Sequence, residues 1–546
     1  MVPVLFAVDA SRGRWTYVFR DGQPLSVPNR VAKCSYNWSV DDGVFGLFPA
    51  WANLNGMLAL ERGEQQVAIG GFARIYRTRM KTGIVVAVKV LFDHRRPPER
   101  LLELSVREGF TWHSLDHPNI VPFLGIADYA RICPGGFPQL CLVSPWMSDG
   151  NIMDFLKANP AVSPLPLMLD VVHAVAYLHS FSSGPIIHGD LKGNNILIDC
   201  QGSPERPVAR LIDFGLSEIM EVDMEHEAAT ATSTTSCGNV RWLSFERVDP
   251  KRYGLKPSEA KTTMSDVFEL TRTFFQIFTG GPPFQEMQDW AVVTAVLRGS
   301  NPERPIDCRW LDDDRWKLMM QLWSDVREAR PSLDALRQDL EQSIWIENVL
   351  RSNTLVDLGV LLRGDVLARR LLSQRERINA VEFDLSTGHD WSIQELEWVL
   401  SQLDIKKFCF THAQMGTRQE DIEAVMQLTP SLQHLELRAR ADLPVLCATP
   451  FLQVAQNHAS NLTTLIIASI PAAFAQVSSA SLINLEIRIH IGERRSNDER
   501  LFAFLQLLNK TPSLERLVFN DGTETTALHG ANIPPSGSQW MQLYHD

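Results

Sequence analysis

Cysteine is sparse and never paired along the chain. The eight residues stand at 34, 133, 141, 200, 237, 308, 409 and 447, with no Cys-x-x-Cys among them. That spacing offers zinc no ligand pair. In a chain of 546 residues it reads as reduced, partly buried thiols, so a cytoplasmic protein is expected. Long apolar runs are also missing. No stretch approaches the ~18 uninterrupted apolar residues of a spanning helix, and the opening "MVPVLFAVDASRGR" has no basic residue ahead of its apolar run, unlike a secretory leader. No membrane span is expected, and the sequons at Asn37 and Asn461 carry no meaning on their own. Basic charge is in deficit, with 52 Lys and Arg against 64 Asp and Glu for a net charge of -12. That argues against a sequence-independent grip on phosphate backbones, a local basic patch aside, so no nucleic-acid partner is expected.

What is present is an ordinary globular balance, 45% hydrophobic and 21% charged, over a length that suits several domains. Residues 1–60 are rich in Gly, Pro, Trp and Phe. "WTYVFRDGQPLSV" predicts a hairpin around Asp21–Gly22, but the segment carries no recognisable chemistry. Residues 61–344 run from short β-branched strands to long helical patterns. "IVVAVKVLF" predicts a buried strand, while "LPLMLDVVHAVAYLHS" and "MSDVFELTRTFFQIFTG" predict helices, the second stopped by glycine. A helical linker, 345–375, leads to residues 376–546. There a pattern apolar-x-x-apolar-x-apolar recurs in "INAVEF", "IKKFCF", "LQHLEL", "LTTLII", "LINLEI" and "LERLVF", whose starts lie 27, 27, 30, 20 and 32 residues apart. Strand plus helix at this period predicts an α/β leucine-rich-repeat-like solenoid, although the usual Asn after the last apolar position is mostly absent. An ordinary α/β domain with coincidental Leu spacing is the alternative. The solenoid would present Glu382, His434, Glu436, Arg438, Asn484, Glu486, Arg488 and Arg516 on one polar face, either for a protein partner or merely for solvent.

The chemistry lies in the middle part. In "HGDLKGNNILI", Asp190 and Asn195 are five apart, and Asp213 follows in "LIDFG". Two carboxylates and a carboxamide at the ends of strands or turns make an oxygen-rich pocket of the kind Mg²⁺ accepts together with phosphates. Lys89 stands mid-strand in "VAVKV", where a buried ammonium requires an anion. Glu108 in "LLELSVREGFTW" can supply a carboxylate, and a phosphate the rest. His113 and His117 lie four apart without a third ligand at a zinc-site spacing, so they read as structural.

"AIGGFARIYR", "VAVKV", "HGDLKGNNILI", "LIDFG" and "DVFEL" occur in the order and spacing of the eukaryotic protein kinase domain, which the chain resembles over about half its length. "LDHPNIVPFLGI", "CLVSPWMSDGNIMDFL" and "GNVRWLSFE" resemble the tyrosine-kinase-like group, notably as expanded in mushroom-forming fungi. The resemblance implies a bilobal α+β fold and ATP and Mg²⁺ as cofactors, with a protein Ser/Thr hydroxyl as substrate. It implies that Lys89 holds the α- and β-phosphates and pairs with Glu108, that Asp190 accepts the hydroxyl proton with Lys192 beside the transferred phosphate, and that Asn195 and Asp213 hold the metal. Ile69, Gly70, Gly71, Phe72 and Ala73 would form the phosphate loop. Ile75, Ala87 and Leu197 would enclose the adenine, with Ser144 as gatekeeper and Met147 offering hinge backbone. Glu246 and Arg330 resemble the ion pair that braces the large lobe.

Three departures matter. The glycine loop keeps only its middle glycine in place, with Ala68 and Ala73 at the flanking positions. Glycines there let backbone N–H groups approach phosphate, so a pseudokinase scaffold that binds partners without phosphoryl transfer is the rival reading. Gly189 replaces the Arg that in many kinases receives an activation-loop phosphate, which predicts activity without phosphorylation of "ATATSTTSC". Asn239 stands where serine/threonine kinases usually carry Thr, while Lys192 two residues after Asp190 favours Ser/Thr over Tyr.

Overall fold

The computed structural model describes residues 42–58, 66–69, 73–92, 97–133, 138–200, 206–214, 240–351, 355–384, 392–411, 427–438 and 462–467, together with the strands at 5–9, 14–18, 24–25, 484–488 and 516–529 apart from its turn at 521–524. Two compact units divide the chain, Met1–Glu341 and Gln342–Asp546. Among the described residues no helix is long and apolar enough to cross a membrane.

In the first unit, a five-stranded antiparallel sheet runs in the order Gln66–Ile69, Ala73–Arg79, Val85–Leu91, Leu140–Pro145, Gly125–Asp128. Val85–Leu91 is the middle strand. Its alternation sends Val86, Val88 and Val90 into a core with Leu54, Leu58, Tyr76, Cys141 and Val143. Ala87 and Lys89 therefore share the opposite face. Helix Pro98–His113 starts with Pro at its first position, where the missing N–H costs nothing. The segments "ARICPGGFPQ" and "CQGSPERP" each separate an antiparallel strand pair, the first beside a helical turn at Tyr129–Ile132.

A helical part follows, organised around Thr263–Thr279, which is capped by a Thr262–Ser265 box and ended by Gly280 at φ 75°. Fourteen consecutive residues of this helix, Ser265–Phe278, are buried. Burial all round makes its polar side chains expensive unless each has a partner, and for Asp266, Thr273 and Gln276 those partners include the loop at 188–193. Arg330 meets Glu246 through two parallel bonds of 2.7 Å, both side chains buried, as the resemblance implied.

The predicted hairpin near the N-terminus appears as paired strands, Tyr17 with Leu25 and Val18 with Pro24, joined to Leu5–Asp9; its Asp21–Gly22 turn lies outside the described residues. In the second unit, the strands at Ala380–Asp384, Lys407–Thr411, His434–Arg438, Thr464–Ile467, Asn484–Arg488 and Arg516–Asn520 fall on the six motif copies and pair in parallel in that order, with Val356–Asp357 at one edge and an antiparallel Thr525–His529 at the other. The register aligns Val381, Phe408, Leu435, Leu465, Leu485 and Leu517 in one row. Helix Ile393–Ser401 stands between the first two of these strands, as the strand-plus-helix period predicts. The polar face is not uniformly open to solvent. Arg516 is exposed, but Glu436 is only 3% exposed. Its register neighbours Cys409 and Ile466 are apolar and buried, so this face is covered there.

Candidate active site

Lys89 sits at the centre of the small sheet, opposite Ile75 on one side and Leu142 on the other. Its Nζ lies 2.6 Å from Glu108 Oε1 and 2.6 Å from Asp213 Oδ1. Burial alone pulls the ammonium's pKa down; Asp213 and Glu108 more than reverse this and hold it charged well above the usual lysine range. Burial raises Glu108, with Lys89 opposing, and its Oε2 is buried with no hydrogen-bond partner. For Asp213, burial pushes up but Lys89, followed by Lys192 and His188, pulls harder, leaving it below the ordinary aspartate range. Asp213 also adopts φ 68°, a left-handed conformation that Asp tolerates better than most residues.

The loop carrying Asp190 hangs on one face of helix Thr263–Thr279. Asp266 accepts from the backbone N–H groups of His188 and Gly189, both at 2.8 Å. Glu269 pairs with Arg247, whose Nη1 also donates to the Gly189 carbonyl. Thr273 donates to the carbonyl of Leu191 at 2.9 Å, and Gln276 accepts from the Gly193 N–H at 3.0 Å. Positions 266, 269, 273 and 276 follow the helical period, so a single buried stripe fixes the loop. Gly193 is required by space, since a Cβ there would lie 2.6 Å from Met153 Cγ.

Asp190 is buried at 7% exposure, and its carboxylate is gripped by Lys192 Nζ at 2.9 and 3.0 Å and by Asn195 Nδ2 at 2.9 Å. The amide of Ile212 donates to the Asn195 carbonyl at 3.1 Å, tying the strand that delivers Asp213 to the Asp190 loop. His188 is not a base. Its Nδ1 accepts from the Asp190 N–H, its Nε2 meets the Ile212 carbonyl at 3.0 Å, and burial lowers its pKa. His117 likewise has a structural place, its Nδ1 accepting from the Asn119 amide and its ring stacked on Tyr177.

Ile75, Ala87 and Leu197 are partly exposed apolar positions, while Ser144, paired with Ala87 in register, and Met147 are buried. Gly70, Gly71 and Phe72 lie outside the described residues, as does everything from 215 to 239. Ile69 and Ala68 are on a strand with a register shift between Gln66 and Ala68. Among the described residues the non-glycine positions with positive φ are Asp213 and Phe284, so the alanines at 68 and 73 occupy backbone that tolerates a methyl. Sequence reasoning missed Arg247 and Glu269, because nothing local to either residue marks the other as its buried partner.

The donor set fits a magnesium nucleotide. An ammonium fixed between the carboxylates of Glu108 and Asp213, a further oxygen-bearing side chain in Asn195, and a partly open apolar platform are what phosphates, a hard cation and a planar base require. The family model described as protein tyrosine and serine/threonine kinase matches residues 62–340. Serine/threonine-protein kinase STY17 of Arabidopsis thaliana is 28% identical over 286 residues, covering 52% of this chain and 44% of that protein. Dual specificity protein kinase splA of Dictyostelium discoideum is 26% identical over 274 residues, covering 47% of this chain and 10% of its own length. Calmodulin-binding receptor-like cytoplasmic kinase 1 of Arabidopsis thaliana is 26% identical over 272 residues, 48% of this chain and 51% of that protein. The chain thus spans about half or less of the length of these relatives. With its lysine, paired glutamate, loop aspartate and metal-type ligands converging inside the matched segment, the chain belongs to the protein tyrosine and serine/threonine kinase family.

Proposed function

We propose that the protein is a serine/threonine protein kinase that transfers the γ-phosphoryl group of ATP to a protein hydroxyl. The observation that carries this reading is the Lys89 ammonium held 2.6 Å from both Glu108 and Asp213, with the Asp213 segment tied through Ile212 to Asn195, which grips Asp190. Asp190 would orient the attacking hydroxyl and take its proton. Lys89 would hold the α- and β-phosphates, Asn195 and Asp213 would hold Mg²⁺, and Lys192 would face the transferred group. When bound, the magnesium nucleotide supplies the phosphoryl group and neutralises its charge; the chain contributes position and fixed charge. Ile75, Ala87 and Leu197 would enclose the base, with Ser144 and Met147 lining its inner edge. Placement in the tyrosine-kinase-like group rests on the sequence blocks named above. Ser/Thr preference rests on Lys192 and on the likeness to STY17.

The C-terminal unit we read as a leucine-rich-repeat-like module that recruits a protein partner or substrate. Supporting it are six parallel strands in register and the aligned apolar row. Incubating the full chain with γ-labelled ATP and Mg²⁺, followed by phosphoamino-acid analysis, tests the kinase reading. Label on serine and threonine is expected. Label on tyrosine alone would overturn the specificity, and an absence of label would favour the scaffold.

A further inference from the structure

Residues 44–58 lie outside the segment matched by the kinase family model, which begins at residue 62. They nevertheless pack on the helix that carries Glu108. The Phe48 ring, 5% exposed, stacks on Phe110 at 4.3 Å between centroids and 11° between planes. Trp51 sets its edge against His113 at 5.3 Å. Ala52 is fully buried, Leu54 donates its N–H to the Ile126 carbonyl at 2.9 Å, Asn55 Oδ1 accepts from the Asp128 N–H at 2.7 Å, and the Lys81 N–H reaches the Met57 carbonyl at 3.0 Å.

The receiving surface is shaped for this segment at two glycines. A Cβ on Gly109, the residue after Glu108, would lie 3.1 Å from Phe48 Cζ and 3.0 Å from Leu142 Cδ2. A Cβ on Gly125 would lie 2.3 Å from the Ala52 carbonyl oxygen. From Phe48 a run of ring contacts continues inward: Phe48 to Phe123 at 6.4 Å, Phe123 to Trp112 at 5.9 Å, Trp112 to Phe214 at 6.3 Å, and Phe214 to His188 at 5.5 Å. His188 in turn accepts from the Asp190 N–H.

We infer that Phe48 is a positioning residue for the phosphoryl-transfer reaction, and that residues 44–58 form a bracket fixing helix Pro98–His113 so that Glu108 stays on Lys89. The inference rests on the kinase reading above. The physical basis is leverage. The Glu108 helix packs on the small sheet, and the Lys89–Glu108 bond holds only while the helix keeps one rotation and depth. An apolar ring stacked next to Glu108 restricts both without touching the nucleotide.

The test is the autophosphorylation rate of the full chain at saturating Mg-ATP, normalised to the number of ATP-binding sites measured by equilibrium binding, for wild type, Phe48→Ala, Phe48→Leu and Trp51→Ala. Amide hydrogen exchange is read in parallel. Phe48→Ala is expected to lower the rate per binding site about tenfold to hundredfold, as misplacement of a catalytic group does. Exchange should quicken in Pro98–His113 and stay unchanged in Thr263–Thr279. Phe48→Leu, which refills the space, should recover most of the rate. Trp51 is 57% exposed, so Trp51→Ala leaves the fold intact; it should lower the rate in the same direction by a smaller factor. An inactive wild type would overturn the kinase reading itself. An active wild type with unchanged rate per site and unchanged exchange in the variants would overturn the bracket alone. If Phe48→Ala does not fold, Trp51→Ala decides, and a wild-type rate there counts against the bracket.

Discussion

Arg247 Nη1 lies 2.7 Å from the Gly189 carbonyl oxygen and 2.7 Å from Glu269 Oε1, so one buried guanidinium ties the residue before Asp190 to the central helix. The N–H of Gly189 is taken by Asp266 at the same time. Both backbone polar groups of Gly189 are therefore held from within, at φ 70°. In that left-handed region a side chain costs about 1–2 kcal/mol. Glycine is the unstrained residue here.

Removing that arginine exposes the cost of the pair. Arg247→Met leaves the Glu269 carboxylate, 1% exposed, without its cation, which is expected to destabilise the fold by about 3–5 kcal/mol. Arg247→Met with Glu269→Leu should recover most of that loss, because an apolar pair of similar volume carries no desolvation penalty. Urea denaturation of the two variants checks this. Equal loss in both would mean that the pair is not the stabilising unit.

The loop braced in this way should not depend on phosphate. Thr230, Thr232, Ser233, Thr234, Thr235 and Ser236, which lie outside the described residues, have no arginine at 189 to receive them. Replacing all six with Ala should leave the transfer rate within about tenfold of wild type, roughly 1.4 kcal/mol of barrier. A larger loss in steady-state kinetics would restore a role for loop phosphorylation.

Glu269 gives a pH signature. Burial pushes its pKa up to about 7, against the pull of Arg247. The native state then binds the proton more tightly than the unfolded chain does, so the contribution is complete below the ordinary glutamate value near ~4.3. It is lost as pH rises through about 7. Thermal midpoints of wild type and Glu269→Gln, compared from pH 4.5 to 8, should show wild type losing ground to the variant as pH rises. Parallel curves would contradict the assignment.

Much of this was legible in the sequence because motif order is a local property. Lys89 between apolar neighbours demanded an anion, for which the sequence offers Glu108; the structure sets Glu108 on it and adds Asp213, which the sequence points to only as a metal ligand. The glycine-stopped helix at 263–279 and the parallel strands beneath the six motif copies followed from hydrophobic period alone. Arg247–Glu269 was illegible because their partnership spans 22 residues and exists only once both are buried. The burial of Glu436 was missed because alternation tells which residues share a face, not whether that face is covered. The packing of residues 44–58 had no periodic signal at all, since a short irregular segment takes its order from the surface it covers.

The most direct measurement is single-turnover phosphoryl transfer from Mg-ATP by wild type and Asp190→Asn, with nucleotide affinity measured on the same preparations. The account predicts similar ATP binding by both and a rate lower by about 10²–10⁴ in the variant, the span general base catalysis commands. Equal rates from the two proteins would contradict it.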